Sequence, residues 1–202
     1  MTVPGRVEAA ELLLSLDPPA WFLRHARAVA EVAGWLALRT AASTWARAVD
    51  RELVEAAALL HDADKLLPAD DPAGALPHGE GSAAWLARRG HADLGPAVAA
   101  HPVTRLVDGE RHRAWAAGAS PEERIVAYAD KRAGQRLETM AQRFASWQRR
   151  YPGGWSSAEA AAVRRRADEL ESEVCRAAGV GPNDVRRLRW TGAALQSARG
   201  RA

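Results

Sequence analysis

Residues 50–65 read DRELVEAAALLHDADK and decide the fold class of this chain. Asp50 is a favourable N-cap, and the apolar residues that follow recur every three to four positions. This spacing predicts an amphipathic helix over residues 50–61. The helix ends in a His-Asp pair, shortly before a loop at residues 68–78 that is rich in Pro and Asp.

Helical periodicity extends over most of the chain, and the period-two alternation of a β-strand is absent. The clearest helix start has Ser120 as N-cap, Pro121 at the first helical position and Glu123 completing a capping box. The predicted fold class is therefore all-α. Further helices are predicted over residues 21–39, 80–89, 93–101, 120–130, 134–149 and 156–179, and a second loop over 102–119.

Composition and charge exclude several classes of protein. A chain of 202 residues that is 48% hydrophobic predicts one globular domain with room for an appendage. No apolar run is long enough for a membrane span, and the N-terminal residues lack the pattern of a signal peptide. The single cysteine, Cys175, predicts a cytoplasmic protein without an intrachain disulfide.

The basic excess is concentrated near the C-terminus. Residues 164–202 carry a net charge of +4, whereas residues 1–163 carry −1. The Arg run at 164–166 is followed by acidic residues at helical spacing, which predicts a salt-bridged helix face. Nucleic acid is therefore not expected as the main partner, and no membrane partner is expected.

Four polar side chains point inward from four separate predicted helices. Each lies at helical spacing from apolar residues and so falls on the buried face of its helix. A single buried His is ordinarily a hydrogen-bonded core residue, but an ionised carboxylate needs a cation to offset its burial. A shared divalent metal is the economical explanation, and these ligand types suit Fe, Mn, Zn, Co or Ni. The four residues are His25, His61, His101 and Asp130.

The order of these residues resembles the HD superfamily of metal-dependent phosphohydrolases over about residues 20–150. The resemblance implies an HD-domain helical bundle over residues 1–150 and a C-terminal helical extension with a basic tail over residues 151–202. The motifs that carry it are HDADK at 61–65, HGEGSAAWL at 78–86, AAHP at 99–102 and ERIVAYADKR at 123–132.

The resemblance also implies metal ligands in two overlapping groups. One or two divalent ions are therefore expected, with Mg as a further candidate. The implied ligands are His25, His61, Asp62 and Asp130 for the first ion, and His78 and His101 for the second, with Asp62 bridging.

A metal-activated hydroxide would attack phosphorus in this class of enzyme, with Asp62, Asp64 and Lys65 in the catalytic set. Lys65 matches the lysine that faces the substrate phosphate; its alternative is a solvated lysine at a helix end. Asp64 is either a hydrogen-bond partner of a ligand histidine or a surface acid. Three arginines are either phosphate contacts or surface residues: Arg105, Arg132 and Arg136.

The predicted function is hydrolysis of a phosphate ester or anhydride of a small nucleotide, for which a homodimer is a compatible state. A finer alternative is the symmetrical dinucleoside-tetraphosphate hydrolase branch, although ADKRAGQR at 130–137 departs from the motif usual there. The alternative from another class is a non-catalytic regulatory or nucleic-acid-binding helical module, with contacts at residues 164–166 and 186–189.

The two lysines stand out in an Arg-rich composition. Only two of the 28 basic residues are lysines, and both fall inside the motifs, Lys65 in HDADK and Lys131 after Asp130. Because Arg replaces Lys easily on a surface, a local constraint is expected at both. His91 and His112 match no motif and are predicted to lie on the surface or in loops. Three tryptophans are assigned to core packing: Trp21, Trp35 and Trp85.

Overall fold

The computed structural model describes residues 3–40, 45 and 48–201, and the all-α prediction is confirmed. Within these ranges the chain forms ten α-helices, and the only β-pairing is one isolated bridge between Ala133 and Leu137. The helices are α1 Arg6–Leu14, α2 Ala20–Arg39, α3 Arg51–Leu60, α4 Glu80–Arg88, α5 Gly95–Ala100, α6 Gly109–Gly118, α7 Pro121–Arg132, α8 Met140–Arg150, α9 Ser157–Ala177 and α10 Thr191–Arg199.

The centre of the bundle is formed by α2, α3 and α7, and α5 packs on α3, α4 and α7. Small residues let α2 and α3 approach closely, since a Cβ at Gly34 would lie 2.8 Å from Oε1 of Glu55. The buried Glu55 carboxylate accepts hydrogen bonds from Arg6 on α1 at 2.7 Å and from Arg51 at 2.9 Å. The N-terminal helix is thereby fastened to α3.

The predicted helix starts are confirmed by their caps. The Asp50 carboxylate accepts a hydrogen bond from the amide of Leu53 at 3.0 Å. Capping boxes are formed at Ser120 with Glu123 and at Ser156 with Glu159. Each side-chain acceptor satisfies an amide that lacks a partner inside its helix.

The segment predicted as a loop at 102–119 instead contains a 3-10 helix, Val103–Leu106, and α6. The prediction failed because α6 has a weak apolar pattern and depends on its cap, the Asp108 carboxylate, which accepts from two amides. The helix predicted at 134–149 begins only at Met140, because residues 133–139 make a bridged turn first.

Two helices were not predicted, α1 and α10, and they pack against each other. The C-terminal segment is fastened to α2 through the buried Glu31, whose carboxylate accepts hydrogen bonds from Arg187 and from the hydroxyl of Thr191. Residues 151–201 therefore lie on the bundle rather than apart from it. Among the described helices, none combines the length and the apolar character that crossing a membrane requires.

Three minor predictions were wrong. Trp21 is 50% exposed, because Phe22 takes the inward position at the start of α2; Trp85 is buried as predicted. His91 and His112 are buried rather than exposed. Gly90, with φ +86°, reverses the chain after α4 and so turns His91 back onto the bundle.

Candidate metal centre

The predicted ligands converge from five parts of the bundle. His25 lies in the middle of α2 and Asp130 near the end of α7, whereas His61 and His101 are the C-cap residues of α3 and α5. All four are buried, as is Asp62, which directly follows His61. His78 comes from the loop before α4, and its side chain is 36% exposed.

The first group consists of His25, His61, Asp62 and Asp130. The Nε2 atoms of His25 and His61 are 3.2 Å apart. The Nε2 atom of His25 lies 3.4 Å from Oδ2 of Asp62 and 3.5 Å from Oδ1 of Asp130. The ligand atoms of His25, His61 and Asp62 lie close enough together to hold one ion, and Oδ1 of Asp130 lies 3.5 and 3.8 Å from the two imidazole nitrogens.

The second group consists of Asp62, His78 and His101. Oδ1 of Asp62 lies 3.3 Å from Nε2 of His78 and 3.3 Å from Nε2 of His101. The two imidazole nitrogens are 3.1 Å apart. Asp62 thus belongs to both groups and turns one carboxylate oxygen toward each.

The outer nitrogens of the imidazoles fix the tautomer of each ring. Every Nδ1 lies at hydrogen-bond distance from an acceptor, so Nδ1 carries the proton and Nε2 keeps a lone pair for a metal ion. The acceptors are the carbonyls of Gly134 for His25 at 2.8 Å, Ala58 for His61 at 2.8 Å and Val98 for His101 at 2.6 Å, and the Asp64 carboxylate for His78 at 3.0 Å.

This donor set fits a divalent ion. The Nε2 atoms face each other in two pairs, at 3.1 and 3.2 Å, and the buried Oδ1 of Asp62 has no hydrogen-bond partner among the described residues. Burial lowers the pKa of His61 to about 3, so this imidazole is neutral, as a ligand must be. A cation between the nitrogens and the carboxylates would satisfy all of these atoms, and imidazole with carboxylate is the chemistry of transition-metal sites.

Asp64 supports His78. Its carboxylate accepts from the amide of Gly79 at 2.6 Å and is 7% exposed, which is not the environment of a surface acid. Although burial opposes protonation, the neighbouring carboxylates of Asp62 and Asp64 raise the pKa of His78 to about 9, so an ion that binds Nε2 displaces a proton from this ring. Gly81 lets the loop close, because a Cβ there would lie 2.5 Å from the Ala73 carbonyl and 2.9 Å from Cβ of Asp64.

Lys65 and Lys131 have different surroundings. The Lys65 ammonium donates to Oδ2 of Asp62 at 2.8 Å, and its side chain is 45% exposed at the rim of the site. The ammonium of Lys131 is fully buried and donates to the carbonyls of His101 at 2.9 Å and Ala127 at 3.0 Å. Lys131 therefore ties α7 to the end of α5, which is the local constraint expected from the sequence.

Arg143 is a site residue that the sequence reasoning missed. Its guanidinium donates to the backbone carbonyl of Asp130 at 3.2 Å and lies 3.4 Å from the Oδ1 atom of Asp130. Burial opposes ionisation of Asp130, but Arg143 and the neighbouring imidazoles hold its pKa below the usual range. Nothing in the local pattern of α8 distinguishes Arg143 from the other arginines there, so no sequence signal could have found it.

The three arginines predicted as phosphate contacts lie elsewhere. Arg105 pairs with Glu80 at 2.8 Å. Arg132 is buried among Tyr128, Glu171 and the backbone, where it links α7 to α9. Arg136 is exposed, in the turn after α7. None of the three lines the cavity at the metal centre.

That cavity has a volume of about 480 Å³ and opens directly onto the two groups. Its polar end is formed by Asp62, Lys65, His78, Asp130 and Arg143, and the rest of its lining is mostly apolar. A volume of this size is typical of sites for small organic ligands.

Comparisons with known proteins agree with this geometry. The sequence pattern of the HD domain matches residues 22–134, which include all six predicted ligands. Curated proteins and solved structures gave no match. Since the match covers more than half of the 202 residues, the chain belongs to the HD domain family.

Proposed function

We propose that this protein is a metal-dependent phosphohydrolase that cleaves a phosphate ester or anhydride, with a nucleotide as the expected substrate. HD domains are generally metal-dependent hydrolases. The observation that carries the proposal is the placement of Asp62, whose two oxygens face two separate sets of imidazole nitrogens at 3.3–3.5 Å. The same carboxylate borders an open cavity.

The residues of the chain have distinct parts in this proposal. His25, His61 and Asp130 would hold one ion with Asp62, and His78 and His101 the other. A divalent ion bound there supplies activated water at neutral pH and offsets negative charge on a phosphate.

Lys65 would contact a phosphate oxygen, and the position of its ammonium beside Asp62 in the cavity lining supports this role. Arg143 would keep Asp130 in position, because it contacts both the carboxylate and the backbone carbonyl of Asp130.

The rival proposal, a nucleic-acid-binding module, has less support. Several arginines of the basic C-terminal region make contacts within the chain. Arg164 pairs with Asp168 at 2.8 Å, Arg166 donates to the carbonyls of Leu106 and Val107, and Arg187 pairs with Glu31. A surface whose cations are already paired offers little to a phosphate backbone. The dinucleoside-tetraphosphate alternative remains a question of substrate choice within the proposed class.

The test begins with the metal content of the purified protein, which we expect to be one to two equivalents of a transition metal. Protein stripped and reloaded with Mn, Fe, Co or Ni should then release phosphate from members of a panel of nucleoside mono-, di- and tetraphosphates and bis-aryl phosphates. Asp62→Ala should be inactive. Folded, fully loaded protein that cleaves none of these compounds would refute the proposal.

A further inference from the structure

The turn between α8 and α9 brings three aromatic side chains to the cavity at the metal centre. Trp147 lies on α8, Tyr151 is the C-cap of α8, and Trp155 directly precedes the N-cap of α9. All three follow residue 134, where the match to the HD domain ends. They are therefore a feature of this chain beyond the matched domain.

Contacts within α8 and the geometry of the turn that follows position the aromatic residues. Trp147 packs edge-on against Phe144 at 5.1 Å, and the guanidinium of Arg143 lies 4.5 Å from its ring centroid. The amide of Tyr151 donates to the carbonyl of Trp147 at 2.9 Å. Gly153, with φ +76°, then reverses the chain toward Trp155.

The lining of the cavity is of two chemical kinds. Lys65, His78 and the metal-facing carboxylates make up the polar part. The aromatic residues and residues 102–104, which follow His101 directly, supply most of the remainder. Tyr151 is 62% exposed, so packing of the fold does not account for it. Such a cavity matches a ligand with an anionic group at one end and a flat apolar group at the other.

We infer that Trp147, Tyr151 and Trp155 form a subsite for a planar aromatic ring, such as a nucleobase, on the substrate whose phosphate lies at the metal centre. This inference rests on the proposed function, and it assigns the residues that would bind the ring of the substrate. Aromatic side chains bind bases by stacking on their π-faces, which any planar ring offers. Arg143 lies against Trp147 and also contacts Asp130, so the ring subsite is joined to the metal ligands through one side chain.

The test compares pairs of phosphates of which one member carries a ring and both have leaving alcohols of similar acidity. Adenosine 5′-monophosphate is paired with ribose 5-phosphate, and benzyl phosphate with methyl phosphate, so that binding of a nucleobase is distinguished from binding of a simple aryl ring. Stacking on one aromatic residue corresponds to roughly a 5- to 150-fold change. We expect kcat/KM of the metal-loaded protein to favour the ring-bearing member by about that factor, mainly through KM.

Variants identify the residues responsible. Trp155→Ala and Tyr151→Ala should each reduce the preference for the ring, measured as the ratio of kcat/KM between the two members of a pair, and Trp155→Phe should keep most of it. Trp35→Ala is the matched control, because Trp35 is also a partly buried tryptophan packed on the core but lies outside the cavity. It should leave the preference unchanged.

Binding of each compound is measured in parallel by calorimetry, because turnover depends on the proposed function and binding does not. Cleavage of both members at equal rates, unaffected by Trp155→Ala, would overturn the ring subsite and leave the phosphohydrolase proposal intact. If no phosphate is cleaved, the phosphohydrolase proposal fails. In that case, tighter binding of adenosine 5′-monophosphate than of ribose 5-phosphate, lost in Trp155→Ala, would support the ring subsite. Equal binding of the two compounds would refute it.

Discussion

Replacing Asp64 by Asn should weaken one group of the metal centre and spare the other. The Asp64 carboxylate accepts from Nδ1 of His78 at 3.0 Å and from the amide of Gly79 at 2.6 Å. An Asn of the same shape can keep its oxygen at the position of Oδ2, which accepts from both donors, but it then puts an amide nitrogen at the position of Oδ1, 3.1 Å from Nδ1 of His78. This nitrogen cannot accept from Nδ1, and it favours the tautomer with the proton on Nε2, where the metal should bind.

The magnitude follows from the loss of one hydrogen bond from Nδ1 of His78 to a charged acceptor, about 1.5–3 kcal/mol. This corresponds to roughly a 10- to 150-fold loss of affinity at the second group, close to the 10- to 100-fold typical of such outer contacts. The first group, which Asp64 does not contact, should keep its affinity.

The measurement is titration of stripped protein with Mn or Co, with both equivalents resolved by calorimetry. Asp71→Asn is the matched control, because Asp71 also accepts a backbone amide in the same region, from Ala73 at 2.8 Å, but contacts no ligand. Circular dichroism should show both variants folded. Unchanged affinity at the second group in folded Asp64→Asn protein, or an equal loss of affinity at both groups, would refute the reasoning.

Three further predictions concern the metal ions and the buried lysine. Asp62→Ala should lose both metal equivalents and His61→Ala only one, as measured by plasma mass spectrometry; equal losses would contradict the bridging placement of Asp62. Metal at about a thousandfold excess over its Kd should raise the free energy of unfolding in urea by about 4 kcal/mol, with no such gain in Asp62→Ala. Lys131→Met should destabilise the metal-free protein by about 1–3 kcal/mol, because the carbonyls of His101 and Ala127 lose their donor; unchanged urea midpoints would argue against this role.

The sequence predicted those parts of the fold that depend on local chemistry. The capping residues Asp50, Ser120 and Ser156 act on amides within their own first turns, so pattern alone located those helix starts. By contrast, α10 packs on α1 although nearly the whole sequence separates the two helices. No local pattern reports such a partner, and both helices were missed.

The metal centre was predictable for a similar reason. His25, His61, His101 and Asp130 each stand on the apolar face of a helix, and that position is visible in the spacing. The position of Arg132 could not be predicted, because its role in the packing of α7 on α9 depends on Glu171, 39 positions away in the sequence. The aromatic turn at 147–155 could not be assigned to the site either, because only the fold brings it over ligands that lie before residue 131.

The placement of His61 and His101 as C-caps couples metal binding to the stability of the last helical turns of α3 and α5. Each ring donates from Nδ1 to the carbonyl three residues earlier, Ala58 and Val98, and so satisfies an acceptor of its own last helical turn. When that turn frays, the ring loses the contact that aims Nε2, and an ion that holds Nε2 in turn prevents fraying. Metal loading should therefore appear as slowed amide hydrogen exchange at the ends of α3 and α5, at positions that never touch the ion.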